Sequence, residues 1–218
     1  MISSDANTDE AVFHEFTILL KERFKKDVPT TEDSIRYTFF HCLMKSGQYV
    51  PSDVIVEFPL KDSLGQNADG SIRKIHEKID TYIPPSDGKY GLAFEFKYDR
   101  KIPSGKNSPK TQNAGSVLKD IFRLATFKPE ENLHRYFIYI TKKGMATYFN
   151  NPKNNLDVFF NLSQGSVYSL SSEAYNAMPL TRRKIADTFV PCSIIGVFKS
   201  DDAPNFWLRI YEIKPLSG

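Results

Sequence analysis

Residues 74–97, KIHEKIDTYIPPSDGKYGLAFEFK, read as two strands joined by a turn. Side chains on a strand alternate between faces, so in Ala93-Phe94-Glu95-Phe96-Lys97 the acid and the amine share one face and the two phenylalanines share the other. Asp80 lies in the preceding apolar run, Ile79-Asp80-Thr81-Tyr82-Ile83, and Pro84-Pro85-Ser86-Asp87-Gly88 supplies the residues of a reversing turn. Folding the second run onto the first brings Asp80, Glu95 and Lys97 to one place. Two carboxylates and a lysine at strand ends suit a hard cation such as Mg²⁺ or Mn²⁺, which takes oxygen ligands and keeps water for a phosphate and a nucleophile. Without a cation the two acids are expected to repel each other.

The flanking elements follow from periodicity. Val12, Phe13, Phe16, Leu19, Leu20 and Phe24 fall at helical spacing over residues 8–26, with Thr8 as the expected N-cap. Pro29 breaks that helix, and Thr30-Thr31-Glu32-Asp33 opens a second with Thr30 and Asp33 as a capping box and Gly47 as its end. Residues 54–58 form a short strand stopped by Pro59, and residues 61–73 read as a polar turn region. After the two strands of the opening stretch, residues 112–127 form a third helix with Ala114, Val117, Ile121, Leu124 and Ala125 on its apolar side and Lys119 and Arg123 elsewhere. Tyr136-Phe137-Ile138-Tyr139-Ile140 is apolar on both faces, as a strand inside an α/β sheet is.

Beyond residue 141 come short apolar clusters, then a helix from about Ser172 interrupted near Pro179 and resuming over residues 182–189. Residues 192–199 and 206–214 form a terminal hairpin. The expectation is a single domain over residues 1–218, with a core at about 30–141 and a C-terminal elaboration at about 142–218.

The residues at 79–97 resemble the PD-(D/E)xK nuclease superfamily: Asp80 takes the first acidic position, Glu95-Phe96-Lys97 is the ExK element, and Ile79 stands where a proline would complete the motif. The order helix, three strands, helix, strand is the core order of that superfamily. The resemblance implies a restriction-endonuclease-like α/β fold, with a mixed central sheet flanked by helices and C-terminal helix and hairpin additions. It further implies a Mg²⁺-dependent DNA endonuclease of restriction type, with RNA also open as substrate, acting as a two-fold dimer. Asp80 and Glu95 would hold the metal and Lys97 would orient the attacking water. Glu32 and Gln112 would be accessory residues, and Lys119 would reach a phosphate. A second ExK, Glu212-Ile213-Lys214, lacks the preceding acidic strand and the following helix.

Glu32 also suits its helix without any further role, because an acid in the first turn favours the macrodipole and Arg36 at i+4 offers an ion pair. The chain has 218 residues, 40% of them hydrophobic, enough for one well-filled core. No apolar run approaches the roughly 18–20 residues of a membrane span, and the polar start MISSDANTDE is unlike a signal peptide, so a soluble, cytoplasmic protein without a membrane partner is expected. A net charge of +3 is too small for indiscriminate binding of nucleic acid. Locally, however, Lys97, Arg100, Lys101, Lys106 and Lys110 face a single acid, Asp99, in a loop suited to tracking a phosphate backbone. Cys42 and Cys192 are expected as buried free thiols, and the four histidines show no ligand spacing. The competing class is a nucleic-acid-binding or regulatory module that keeps this arrangement without cleaving.

Overall fold

The computed structural model of the protein describes residues 4–60, 63–66, 72–75, 77–86, 88–99, 109–129, 131–203 and 205–216. Two helices come first, α1 (Ser4–Lys25) and α2 (Glu32–Lys45). Five strands follow: β1 (Ile55–Pro59), β2 (Ser63–Gln66), β3 (Ile72–Ile75), β4 (Lys78–Ile83) and β5 (Gly91–Asp99). Next are α3 (Lys110–Thr126), β6 (Leu133–Thr141), α4 (Lys143–Phe149) and α5 (Asp157–Phe160). The chain continues through β7 (Val167–Leu170), α6 (Ser172–Asn176), α7 (Leu180–Ala186), β8 (Cys192–Asp202) and β9 (Phe206–Pro215). None of the helices is long and apolar enough to cross a membrane, among the described residues.

The main sheet has seven strands in the order β1-β4-β5-β6-β9-β8-β7. Among the described residues only β5 and β6 run parallel, in register from Gly91 opposite Leu133 to Asp99 opposite Thr141. A parallel pair needs a crossover, and α3 supplies it. The other pairings are antiparallel, so this is an α/β protein with a mixed sheet flanked by helices. On one side, Phe13, Phe16, Phe39 and Leu43 of α1 and α2 pack against Phe94, Phe96, Ile138 and Ile210. On the other, Ala114, Val117, Ile121 and Ala125 of α3 cover Ala93, Phe137, Tyr139 and Tyr211. Glu95 belongs by parity to the α3 side.

Several boundaries differ from those read in the sequence. The helix expected from Thr8 starts at Ser4. The capping box of α2 is Thr31 with Ser34, because the Thr30 hydroxyl donates to the Val28 carbonyl at 2.9 Å and accepts from Arg23 at 3.2 Å. Across the expected polar turn region and on to Ile75, β2 and β3 form a separate antiparallel pair. The interruption at Pro179 separates α6 from α7, which crosses α3 closely: a Cβ on Gly115 would meet the Arg182 carbonyl oxygen and the Ile185 Cβ, each at 2.7 Å.

The terminal hairpin, expected as an addition, is instead part of the sheet. β9 pairs with β6 from Tyr136 opposite Glu212 to Thr141 opposite Trp207. A strand as apolar as β6 needs a neighbour on each edge and cover on each face, and Leu208, Ile210, Tyr211 and Ile213 provide part of both as buried residues. Truncating Ile210 to alanine is therefore expected to lower stability by about 2–5 kcal/mol in urea unfolding. Val56→Ala on the outer strand, where the side chain is 56% exposed, should change it by less than about 0.5 kcal/mol.

Candidate active site

The site forms where β4 parts from β5. Their register runs from Ile83 opposite Leu92 only to Thr81 opposite Phe94. Two and four residues further along β5, the N–H groups of Phe96 and Tyr98 therefore need other acceptors. Asp80 Oδ2 accepts from Phe96 N–H at 2.9 Å, and Glu32 Oε2 accepts from Tyr98 N–H at 3.0 Å. Side chains thus continue the ladder that the backbone leaves. Arg36, one turn along α2 from Glu32, donates to Asp80 Oδ1 at 2.8 Å. The ion pair expected between Glu32 and Arg36 gives way to this contact, because Glu32 turns to the strand.

Glu95 points to the α3 side, where its side chain is 1% exposed. Arg123 of α3 donates from Nη2 to Glu95 Oε2 at 2.8 Å and to Asp120 Oδ1 at 2.5 Å. Lys97 stands 3.6 Å from Asp120 Oδ2. Asp99, next on the same face, accepts a hydrogen bond from the Tyr139 hydroxyl. Glu95 Oε1 is buried and has no hydrogen-bond partner among the described residues.

Burial pushes the Glu95 carboxyl well above the usual carboxylate range; Asp80 adds to the rise, and Arg123 opposes it without cancelling it. Asp120 and Glu32 are likewise raised by burial, against the opposing charge of Lys97. Burial alone would lower the Lys97 ammonium, but Asp120, Glu32 and Asp99 outweigh it and hold Lys97 above its ordinary value, firmly charged. The cluster can therefore hold a fixed positive charge beside carboxylates that readily take a proton or a cation.

Asp80, Glu95, Lys97 and Glu32 are brought together as the sequence suggests. The expected bare repulsion between Asp80 and Glu95 is offset by Arg36 and Arg123. Gln112 is exposed in the first turn of α3, and Lys110 is exposed at its start. Lys119 lies 3.8 Å from Glu77, bordering a cleft of about 150 Å³ that Arg123 also lines. Arg100, Lys101 and Lys106 lie outside the described residues, as does His76. Asp120 was missed, although it is legible as an acid one turn from Val117 on the apolar side of α3. Cys42 and Cys192 are buried free thiols, as expected.

The second ExK is differently placed. Glu212 lies on the α1–α2 side of the sheet by parity with Leu208 and Ile210, and it contacts His134 Nδ1 at 2.7 Å and Lys214 at 3.4 Å.

No protein-family model matches the chain, and no curated protein matches it. Among solved structures, one described as "Crystal structure of SSO0001" aligns with 17% identity and a TM-score of 0.23, over 63% of this chain and 57% of that one. The match thus spans little more than half the length of that protein.

Glu212 gives a test, by pH, of how the second ExK is held. Burial raises its carboxyl, but the hydrogen bond and charge of His134, with Lys214, bring the net value below the ordinary range. A carboxyl depressed in the folded state stabilises the fold above its unfolded pKa, and that contribution is lost as pH falls through the folded value. Urea midpoints are expected to fall more steeply below about pH 4.5 in the wild type than in Glu212→Gln.

Proposed function

We propose that the cluster between β4, β5 and α3 is the centre of a divalent-cation-dependent phosphodiesterase acting on nucleic acid, a DNA endonuclease of restriction type on a restriction-endonuclease-like core. The observation that carries this reading is the buried Glu95 carboxylate, with one oxygen unpartnered among the described residues, beside Asp80 at a strand opening and with Lys97 on its own face. The order α2, β1, β4, β5, α3, β6, with a parallel β5–β6 pair, supports it further.

The residues fit Mg²⁺ or Mn²⁺. Among the described residues, no three of His, Cys, Asp and Glu stand close enough to form a cage. Mg²⁺ needs no such cage, since it is commonly held by one or two carboxylates and keeps several waters. Glu95 would hold the ion through its unpartnered oxygen, and Asp80 would be the second carboxylate. Bound there, a divalent cation would polarise the phosphoryl group and make a coordinated water more acidic.

The chain's own residues do the rest. Lys97, held charged by Asp120, Glu32 and Asp99, orients the attacking water and offsets negative charge gathering on the phosphoryl oxygens. Asp120 keeps that ammonium in place from the α3 side. Lys110 and Lys119, with Arg100, Lys101 and Lys106, give affinity for the phosphate backbone without reading sequence. Cleavage of both strands of a duplex takes two such centres, which favours a two-fold pair of chains.

A second reading is favoured by one feature. Arg36 and Arg123 neutralise Asp80 and Glu95 much as a structural ion-pair network would, and that suits a nucleic-acid-binding module that does not cleave. Plasmid nicking in Mg²⁺ or Mn²⁺, with and without chelator, separates the two. Cleavage is expected to require the metal and to fall on the order of 10²-fold or more in Lys97→Ala, while Lys214→Ala stays near wild type. Salt-dependent duplex binding with no metal-dependent nicking would favour the second reading. Equal rates in the two variants would remove the centre from this place.

A further inference from the structure

Arg123 is a group that a cation-binding carboxylate centre does not require, and its contacts are incomplete in an informative way. A structural arginine–carboxylate pair gains most when it is bidentate, with two N–H groups meeting two oxygens. Here one nitrogen, Nη2, serves both Glu95 and Asp120. Arg123 Nε and Glu95 Oε1 are both buried without a hydrogen-bond partner among the described residues. By contrast, Asp80 has both oxygens engaged, by Arg36 and by the Phe96 N–H. Glu95 is thus the acid with capacity to spare, and Arg123 is the cation held less than fully to it. Arg123 also lines the cleft of about 150 Å³ with Glu77, Lys119 and Thr126, a cleft that Glu95 does not line.

Resting on the functional reading above, we propose that Arg123 is a resident counter-cation of the centre: it holds Glu95 when no metal ion is bound and yields it when a divalent cation arrives, keeping Asp120 as its anchor. Loading is then an exchange of one positive group for another on a carboxylate too buried to remain bare. Asp120 suits the anchor's part because it lies one turn from Arg123 on the same helix and stays close to it wherever the guanidinium turns. The exchange also weakens the centre's hold on metal, since Arg123 holds the other oxygen of the same carboxylate and repels the incoming charge.

The test is Mn²⁺ binding, followed by the electron paramagnetic resonance signal of free Mn²⁺, on the full chain without nucleic acid. Wild type, Arg123→Gln, Glu95→Gln and the double variant are compared. Arg123→Gln is expected to bind Mn²⁺ about tenfold tighter or more, because a full charge a few ångströms from the ion has been removed. Glu95→Gln should abolish that binding in both backgrounds. Glu95-dependent binding that is equal or weaker in Arg123→Gln overturns the proposal and leaves the functional reading standing. If no background shows Glu95-dependent binding, the functional reading fails, and the proposal with it.

Should Arg123→Gln fail to fold, Arg123→Lys keeps the charge and identifies the Arg123 Nε–H signal in a ¹⁵N spectrum by its loss. That signal is expected to move in the wild type as Mg²⁺ is added. A signal that stays fixed while Mg²⁺ binds overturns the exchange.

Discussion

A backbone N–H inside a sheet has to find an acceptor, and β5 loses its β4 neighbour beyond Phe94 while keeping β6. The site depends on how that loss is made good. Asp80 and Glu32 accept from Phe96 and Tyr98, so backbone demand draws two carboxylates to the same short length of strand, and Arg36 holds one of them there. Glu95 and Lys97 lie on this length, facing α3, while Phe94 and Phe96 fix the strand against α1 and α2. The parting of β4 thus creates the opening and also recruits the acids that border it.

Burial gives the cluster its chemical character. A carboxylate as enclosed as Glu95 is costly to keep charged, and a lone arginine only partly offsets that cost. Acids and bases alternate through the site: Arg36 against Asp80, Arg123 against Glu95 and Asp120, Lys97 against Asp120. Such alternation keeps the fold tolerable without a bound cation. It leaves the charge of Lys97 secure, while Glu95 stays raised and incompletely bonded. The second ExK has the opposite character, because Glu212 is already depressed by His134 and Lys214.

Much of this was legible in the sequence because strand parity is a strict rule. The shared face of Glu95 and Lys97, the crossover helix after them and the doubly covered strand at residues 136–140 all follow from periods of 2 and 3.6. Partner choice was less legible. Arg36 is four residues from Glu32, yet it pairs with Asp80, forty-four residues away, because Glu32 is drawn to a strand N–H that only the tertiary structure exposes. Residues 192–199 and 206–214 read as a hairpin and lie within one, but nothing local in it announces that its second strand lies beside β6. Asp120 needed only the helix period: an acid on the buried side of α3 must have a partner, and its partners are Arg123 and Lys97.

On the proposed function, a divalent cation binds at the opening between β4 and β5 through Glu95. Anomalous scattering from a crystal soaked in Mn²⁺ measures this directly. The expected result is a peak within bonding distance of the Glu95 carboxylate on the α3 side of the sheet, at about the 2.0–2.2 Å of a hard cation–oxygen contact, and its absence in Glu95→Gln. A peak at Glu212, or none near Glu95 with Arg123 still seated on it, would contradict the claim.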